Sequence, residues 1–299
     1  AYLVVAINLL PRVVDVIFDT DGAWYWSPKF LLGFLVVLVM LPLSMQKHMQ
    51  SLRYSSIVSL MSITYLVGLV VIKSILDLSN GKSSVHEVKA INLGESMFNA
   101  FPILSMAFTF HFNIASVQTE LKNPSPARIQ KVCNIAVGIS CIFYSIVGTF
   151  GYLDFGSDTE SDILVNYNKH EVPVVIANAA LVVVVCMAFP LLNFPCRGNL
   201  TTLFFNNSES KVLHVGLTVG AVLSSYGVAI LGLPLGFIFG LVGSVVAIPL
   251  VFIFPSAYYI KLGPDPLRSS PKKKMALGLL IIGVVLCVLC TFTVIDSNF

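Results

Sequence analysis

Eight apolar stretches of eighteen residues or more follow one another between Pro28 and Ile295, joined by links too short to hold a domain. That alternation leaves few folds open. About twenty apolar residues in an α-helix cross a hydrocarbon core of roughly 30 Å, and in lipid each backbone N–H and C=O must be paired within its own segment. The stretches are too long and uniform for the roughly ten-residue strands of a barrel. With 56% of its 299 residues hydrophobic and 11% charged, and a mean hydropathy of +0.87, the chain lies outside the range of soluble domains. An all-α, polytopic membrane helix bundle is expected, with the lipid bilayer as surroundings and no nucleic acid as partner.

The links carry the punctuation. Ser27-Pro28 and Ser125-Pro126 each set an N-cap hydroxyl before a first-turn proline, which predicts spans over about 28–45 and 126–150. Further spans are predicted over 54–76, 97–119, 173–203, 212–231, 235–260 and 275–295, with kinks at Pro190 and Pro195. The acidic link after Phe150 holds Asp154, Asp158, Glu160 and Asp162. Tyr2 to Phe18 is already apolar at its start, without an initiator Met or a charged n-region, and reads as a membrane helix entered part-way rather than a signal peptide. The expectation is a single transmembrane domain over 1–299, with one partial helix at 1–18 and eight complete spans.

Charge orients these spans. The links at 46–53, 119–131, 197–211 and 261–274 hold twelve of the eighteen Lys and Arg and three of the fifteen acids. The positive-inside rule assigns that side to the cytosol, and the acidic links to the outside or a lumen. Lys272 to Lys274 read as topology anchors.

Polar side chains at membrane depth are costly unless they face a cavity or a partner. They concentrate in S-M-A-F-T-F-H-F-N, from Ser105 to Asn113, which is also poor helix-forming material because aromatic and β-branched residues crowd it. A helix interrupted here exposes backbone groups to a ligand. On the 173–203 span, Asn178, Val182, Cys186, Phe189 and Asn193 recur every three or four residues and so share a face, either as a cavity lining or as interhelical packing. None of these residues is a Lys, Arg, Asp or Glu, and such a site suits a zwitterion held by the dipoles of broken helices. Enzyme signatures are absent, the six cysteines show no metal or redox spacing, and no pore loop or charged ring points to a channel.

The run from Met106 to Leu121, followed by Lys122, resembles the sixth helix of the amino acid/auxin permease family, in particular its sodium-coupled neutral amino acid transporter branch. Phe108 and Phe110 match the family run, while Asn113 occupies its histidine slot and His111 comes two residues early. Leu41-Pro42-Leu43-Ser44, Phe194-Pro195-Cys196-Arg197, Gly243-Ser244 and Phe254-Pro255-Ser256-Ala257-Tyr258 agree in the same order. The resemblance implies the leucine-transporter-like inverted-repeat fold, here lacking its first two helices and part of the third.

The resemblance also implies function: secondary-active transport of neutral amino acids by alternating access, in a monomer of the plasma membrane or a vacuolar or lysosomal membrane. The alternative is a transporter-like amino acid sensor, or transceptor, that signals to a cytosolic partner. Implied substrate contacts are Ser105, Met106, Phe108, Thr109, His111 and Asn113 on the interrupted helix, with Asn178, Cys186 and Phe189 on the eighth. Ser105 and Thr109 would flank the break. Glu120 and Arg197 would form an inner gate. No cofactor or structural metal is expected, only H⁺ or Na⁺ as coupling ion. The family's hydroxyl-bearing sodium stretch is here Cys186-Met187-Ala188-Phe189-Pro190, and sulfur is a poor ligand for a hard cation. That favours the proton, with His111 as the titrating side chain.

Overall fold

In a computed structural model the protein is described over residues 2–18, 26–46, 53–81, 94, 96–121, 123–206, 210–263 and 270–297; the side chains of 53–55, 96, 112, 115, 116, 119 and 120 lie outside the description. All regular structure among these residues is helical. In chain order the helices are α1 (Tyr2–Phe18), α2 (Pro28–Leu35), α3 (Leu41–Ser44), α4 (Arg53–Ser79), α5 (Ser96–Ala107), α6 (His111–Glu120) and α7 (Pro126–Phe155). They continue as α8 (Ile163–Asn166), α9 (Val172–Phe204), α10 (Lys211–Ile230), α11 (Leu235–Val242), α12 (Phe254–Leu262) and α13 (Pro271–Asp296).

Among the described residues, six helices are long and apolar enough to cross a membrane: Ser56–Ser79, Pro126–Asp158, Val172–Phe204, Lys211–Ile230, Leu235–Leu262 and Pro271–Asp296. The shorter apolar helices Pro28–Ser44 and Met97–Ala107 stand at the other two expected positions. The capping signals work as read. Ser27 accepts from the Phe30 N–H and Ser125 from the Arg128 N–H, each ahead of a first-turn proline that has no N–H to leave unpaired.

Among the described residues three π turns, Val36–Met40, Gly243–Ala247 and Pro249–Ile253, interrupt the α-helical winding. Each contains the carbonyl that a following proline cannot bond, four residues back: Leu38 for Pro42, Val245 for Pro249 and Val251 for Pro255. A proline ring also clashes with that carbonyl, and one extra residue in the turn relieves the clash. Pro190 and Pro195, by contrast, lie inside an α9 that continues from Val172 to Phe204 without a π turn.

Backbone contacts divide the chain into two units, Ala1–Val88 with Ser116–Gly232 and Lys89–Ala115 with Leu233–Phe299. In the first, α9 packs along α1 and α4, and α7 packs on α4. Leu69, Val70, Leu164, Tyr167, Val174 and Ala177 form a buried cluster there. The acidic link starts later than expected, because α7 runs on to Phe155 and carries Asp154 into a buried position beside Tyr167. Lys73 on α4 pairs with Glu171, and Lys169 with Asp15 at 2.6 Å.

In the second unit, α5 packs on α11, on α13 and on the π turn at Gly243. The approach there is backbone to backbone: a Cβ at Gly243 would lie 2.1 Å from the Pro102 carbonyl oxygen. The reading of Lys272 to Lys274 as topology anchors needs correction at its centre. Lys273 is buried, and its ammonium donates to the Ile260 and Gly263 carbonyls at 2.9 and 2.8 Å, capping the C-terminus of α12.

Candidate functional site

The expected single span over 97–119 is two helices. α5 ends at Ala107, Phe108 to Phe110 leave the helix, and α6 starts at His111. The break therefore falls within the predicted stretch but later than Ser105, which sits a turn earlier inside α5. Its closure is local. The Phe108 N–H still reaches the Leu104 carbonyl at 3.1 Å, the Thr109 N–H turns back to Met106 at 3.0 Å, and the Thr109 hydroxyl donates to the Ser105 carbonyl at 2.6 Å. Thr109 thus lies within the break and ties it to Ser105 rather than flanking it.

Two helix ends face the break, the C-terminal carbonyl end of α5 and the N-terminal amide end of α6. Their partial charges are opposite, so the break offers one pole to an ammonium and the other to a carboxylate. Ser105, Met106, Phe108 and Thr109 are half-buried, whereas His111 is exposed and stacks on Phe110 with ring centroids 5.4 Å apart. The side-chain oxygens of Asn113 and Asn99 are buried without a hydrogen-bond partner. Such atoms are rare and call for a water or a ligand.

In the first unit α9 buries Asn178, Cys186, Phe189 and Asn193. Packing by interhelical hydrogen bonds would satisfy the two asparagines, yet Asn178 Oδ1 and Asn193 Nδ2 have no partner. Tyr226 on α10 does behave as packing: its hydroxyl donates to the Lys29 carbonyl at 3.0 Å and lies against Gly33.

Arg197, one turn beyond Asn193, is 8% exposed. Its guanidinium donates to the Ser44 carbonyl at 3.1 Å, the Gln46 carbonyl at 3.3 Å and Thr218 Oγ1 at 3.2 Å, over the Phe194 ring. Between those two carbonyls, that of Met45 is met by His214 Nε2 at 3.1 Å. Three successive carbonyls at the end of α3 are thus held from α9 and α10, a bracing role that sequence reasoning did not assign to either residue. The Glu120 side chain, the other half of the expected gate, is outside the described residues.

Residues 1–296 match the family model described as transmembrane amino acid transporter protein. The chain belongs to that family. It is an integral, multi-pass membrane protein of a transporter family and not an enzyme. Among curated proteins, the chain is 26% identical over 357 aligned residues to sodium-coupled neutral amino acid transporter 4 of Pongo abelii. It is 28% identical over 358 aligned residues to the protein of that name from Rattus norvegicus. Each alignment covers 95% of this chain and 65% of the relative, so the chain spans just under two thirds of the length of these relatives.

Proposed function

We propose that the whole protein is a secondary-active carrier of neutral amino acids that works by alternating access, folded as a single transporter domain of leucine-transporter-like architecture. The observation that supports this most is the break at Phe108 to Phe110, in a chain whose family transports amino acids. A neutral amino acid is a zwitterion, and the two helix ends at the break match its two charges without a buried countercharge. Ser105, Met106, Phe108, Thr109, His111 and Asn113 are the proposed contacts on the broken helix; Asn178, Cys186 and Phe189 are those proposed on α9.

The coupling ion in this reading is the proton. No hydroxyl lies in Cys186-Met187-Ala188-Phe189-Pro190, and Na⁺ needs several hard oxygen ligands. His111, which opens α6, is the side chain proposed to carry that proton. The proposed inner gate joins Glu120 to an Arg197 N–H not already engaged, since a guanidinium has five donors and three are taken. The protein acts as a monomer in the plasma membrane or a vacuolar or lysosomal membrane.

Uptake of neutral amino acids by the whole protein in liposomes, with sodium replaced by choline and a pH gradient imposed, tests the reading. Uptake that follows the gradient and survives the replacement is expected. Strict sodium dependence with no response to the gradient overturns the coupling, and no uptake or exchange of any amino acid overturns the function.

A further inference from the structure

Arg197 is a buried cation whose partners are all neutral. Among the described residues the ion pairs are Lys73 with Glu171 and Lys169 with Asp15, and neither involves it. A buried charge is ordinarily paired, because the hydration it gives up has to be replaced. The Ser44 and Gln46 carbonyls and Thr218 Oγ1 replace part of that hydration. They supply dipoles and no countercharge.

The acceptors that end at this junction of α3, α9 and α10 are engaged. The Ser44 and Gln46 carbonyls take Arg197, and the Met45 carbonyl takes His214 Nε2, which must donate to it, at 3.1 Å. Thr218 Oγ1 accepts from Arg197 and donates to the His214 carbonyl at 2.7 Å. The side-chain atoms left buried without a hydrogen-bond partner here are Asn193 Nδ2 and Ser44 Oγ. Asn193 lies one turn before Arg197 on the buried face of α9, and Ser44 is the residue whose carbonyl Arg197 holds at 3.1 Å. They are 5% and 4% exposed. An amide NH₂ only donates, a hydroxyl can donate, and the guanidinium keeps two N–H groups outside its three bonds. A bridging water would need acceptors for its own protons, whereas an anion needs donors alone.

We propose that Arg197, Asn193 and Ser44 form a binding site for a small monovalent inorganic anion, with chloride as the probe, at the junction of α3, α9 and α10. The anion supplies the countercharge that the guanidinium does not receive from the described residues. It also ties the end of α3 to α9, since its donors come from both. Its binding does not rest on the transport reading. The proposed gate draws on the same guanidinium, so the Glu120 carboxylate is the rival occupant.

Melting of the purified whole protein, followed as gluconate is exchanged for chloride at constant ionic strength, decides it. Wild type should melt about 3–6 °C higher once chloride exceeds its dissociation constant about tenfold, along a saturating curve. Ser44→Ala removes one donor and should raise the chloride concentration at half-effect about tenfold, as expected for one hydrogen bond to a charged group. Asn193→Asp sets a carboxylate beside the guanidinium as a built-in anion, and should melt alike in chloride and gluconate. A wild type indifferent to chloride overturns the site. So does a chloride response that either variant leaves at the wild-type level, which would be an ordinary salt effect. A response in Glu120→Gln and not in wild type assigns the donors to the Glu120 carboxylate and overturns the inorganic anion. If Asn193→Asp does not fold, an unmoved half-effect concentration in Ser44→Ala overturns the site alone.

Discussion

Replacing the Arg197 guanidinium tests whether it, rather than the helix itself, holds the end of α3. Its three bonds reach Ser44 O, Gln46 O and Thr218 Oγ1. A hydrogen bond from a charged group contributes about 1.5–3 kcal/mol net, and a buried acceptor left without a partner costs about 1–3 kcal/mol. Deleting a buried cation also relieves a desolvation penalty of several kcal/mol, so these losses do not simply add. Arg197→Gln leaves neutral acceptors without a donor and no charge uncompensated, so it should cost about 3 kcal/mol, the upper end of the range for a bare buried acceptor. Thr218→Val removes one of the three acceptors and should cost about 1–2 kcal/mol. Arg197→Lys should fall between them, because a compact ammonium does not reproduce the fork that spans two carbonyls. Thermal unfolding of the purified whole protein reads the series. A fall on the order of 10 °C is expected for Arg197→Gln and about 2–8 °C for Thr218→Val. Wild-type melting by Arg197→Gln, or a larger loss from Thr218→Val than from Arg197→Gln, would refute the bracing role.

Three further outcomes follow from particular contacts. Gly243→Ala sets a Cβ against the Pro102 carbonyl, and because both sides are backbone the overpacking should cost at least about 1–3 kcal/mol; unchanged melting would show that the approach is not real. Burial, opposed by the Leu164 N–H bond and by Arg12, pushes the Asp162 carboxyl above its usual range. The folded protein then holds this proton more tightly than the unfolded chain, so stability is present at low pH and lost as pH rises through the raised value. Asp162→Asn keeps the cap oxygen and should flatten that slope and melt higher at neutral pH; an unaltered slope rejects the assignment. Single cysteines placed in 156–171 should react with an impermeant thiol reagent from the outer or lumenal side, and reaction from the cytosolic side alone would reverse the topology.

The sequence disclosed those parts of the molecule that depend on short-range chemistry. Ser27 and Ser125 cap helices as read because a hydroxyl before a first-turn proline has one efficient use. The break in F-T-F-H-F-N was legible for a similar reason, but its position was not. Ser105 stays inside α5, while Thr109, beyond its end, closes its hydroxyl onto the Ser105 carbonyl.

What stayed hidden depends on distant partners. Asp154 looks like loop sequence until Tyr167, thirteen residues on, folds back over it. Lys273 is indistinguishable in sequence from Lys272 and Lys274, and only the end of α12 sets it apart. The prolines announced irregular winding, and π turns do precede Pro42, Pro249 and Pro255, while α9 carries Pro190 and Pro195 without one. The bracing contacts of Arg197 were hidden as well, because its partners, the carbonyls of Ser44 and Gln46, carry no side-chain signal.

The central claim, that a neutral amino acid binds at the break between α5 and α6, is tested most directly by protection of a cysteine placed there. Thr109→Cys is made in the whole protein with its native cysteines replaced, including the six in this chain, and the rate of modification by a small thiol reagent is measured with and without amino acid. A saturating transported amino acid should slow the reaction several-fold, and a sugar should not. Equal rates with and without amino acid, in protein that still takes that amino acid up, would contradict binding at the break.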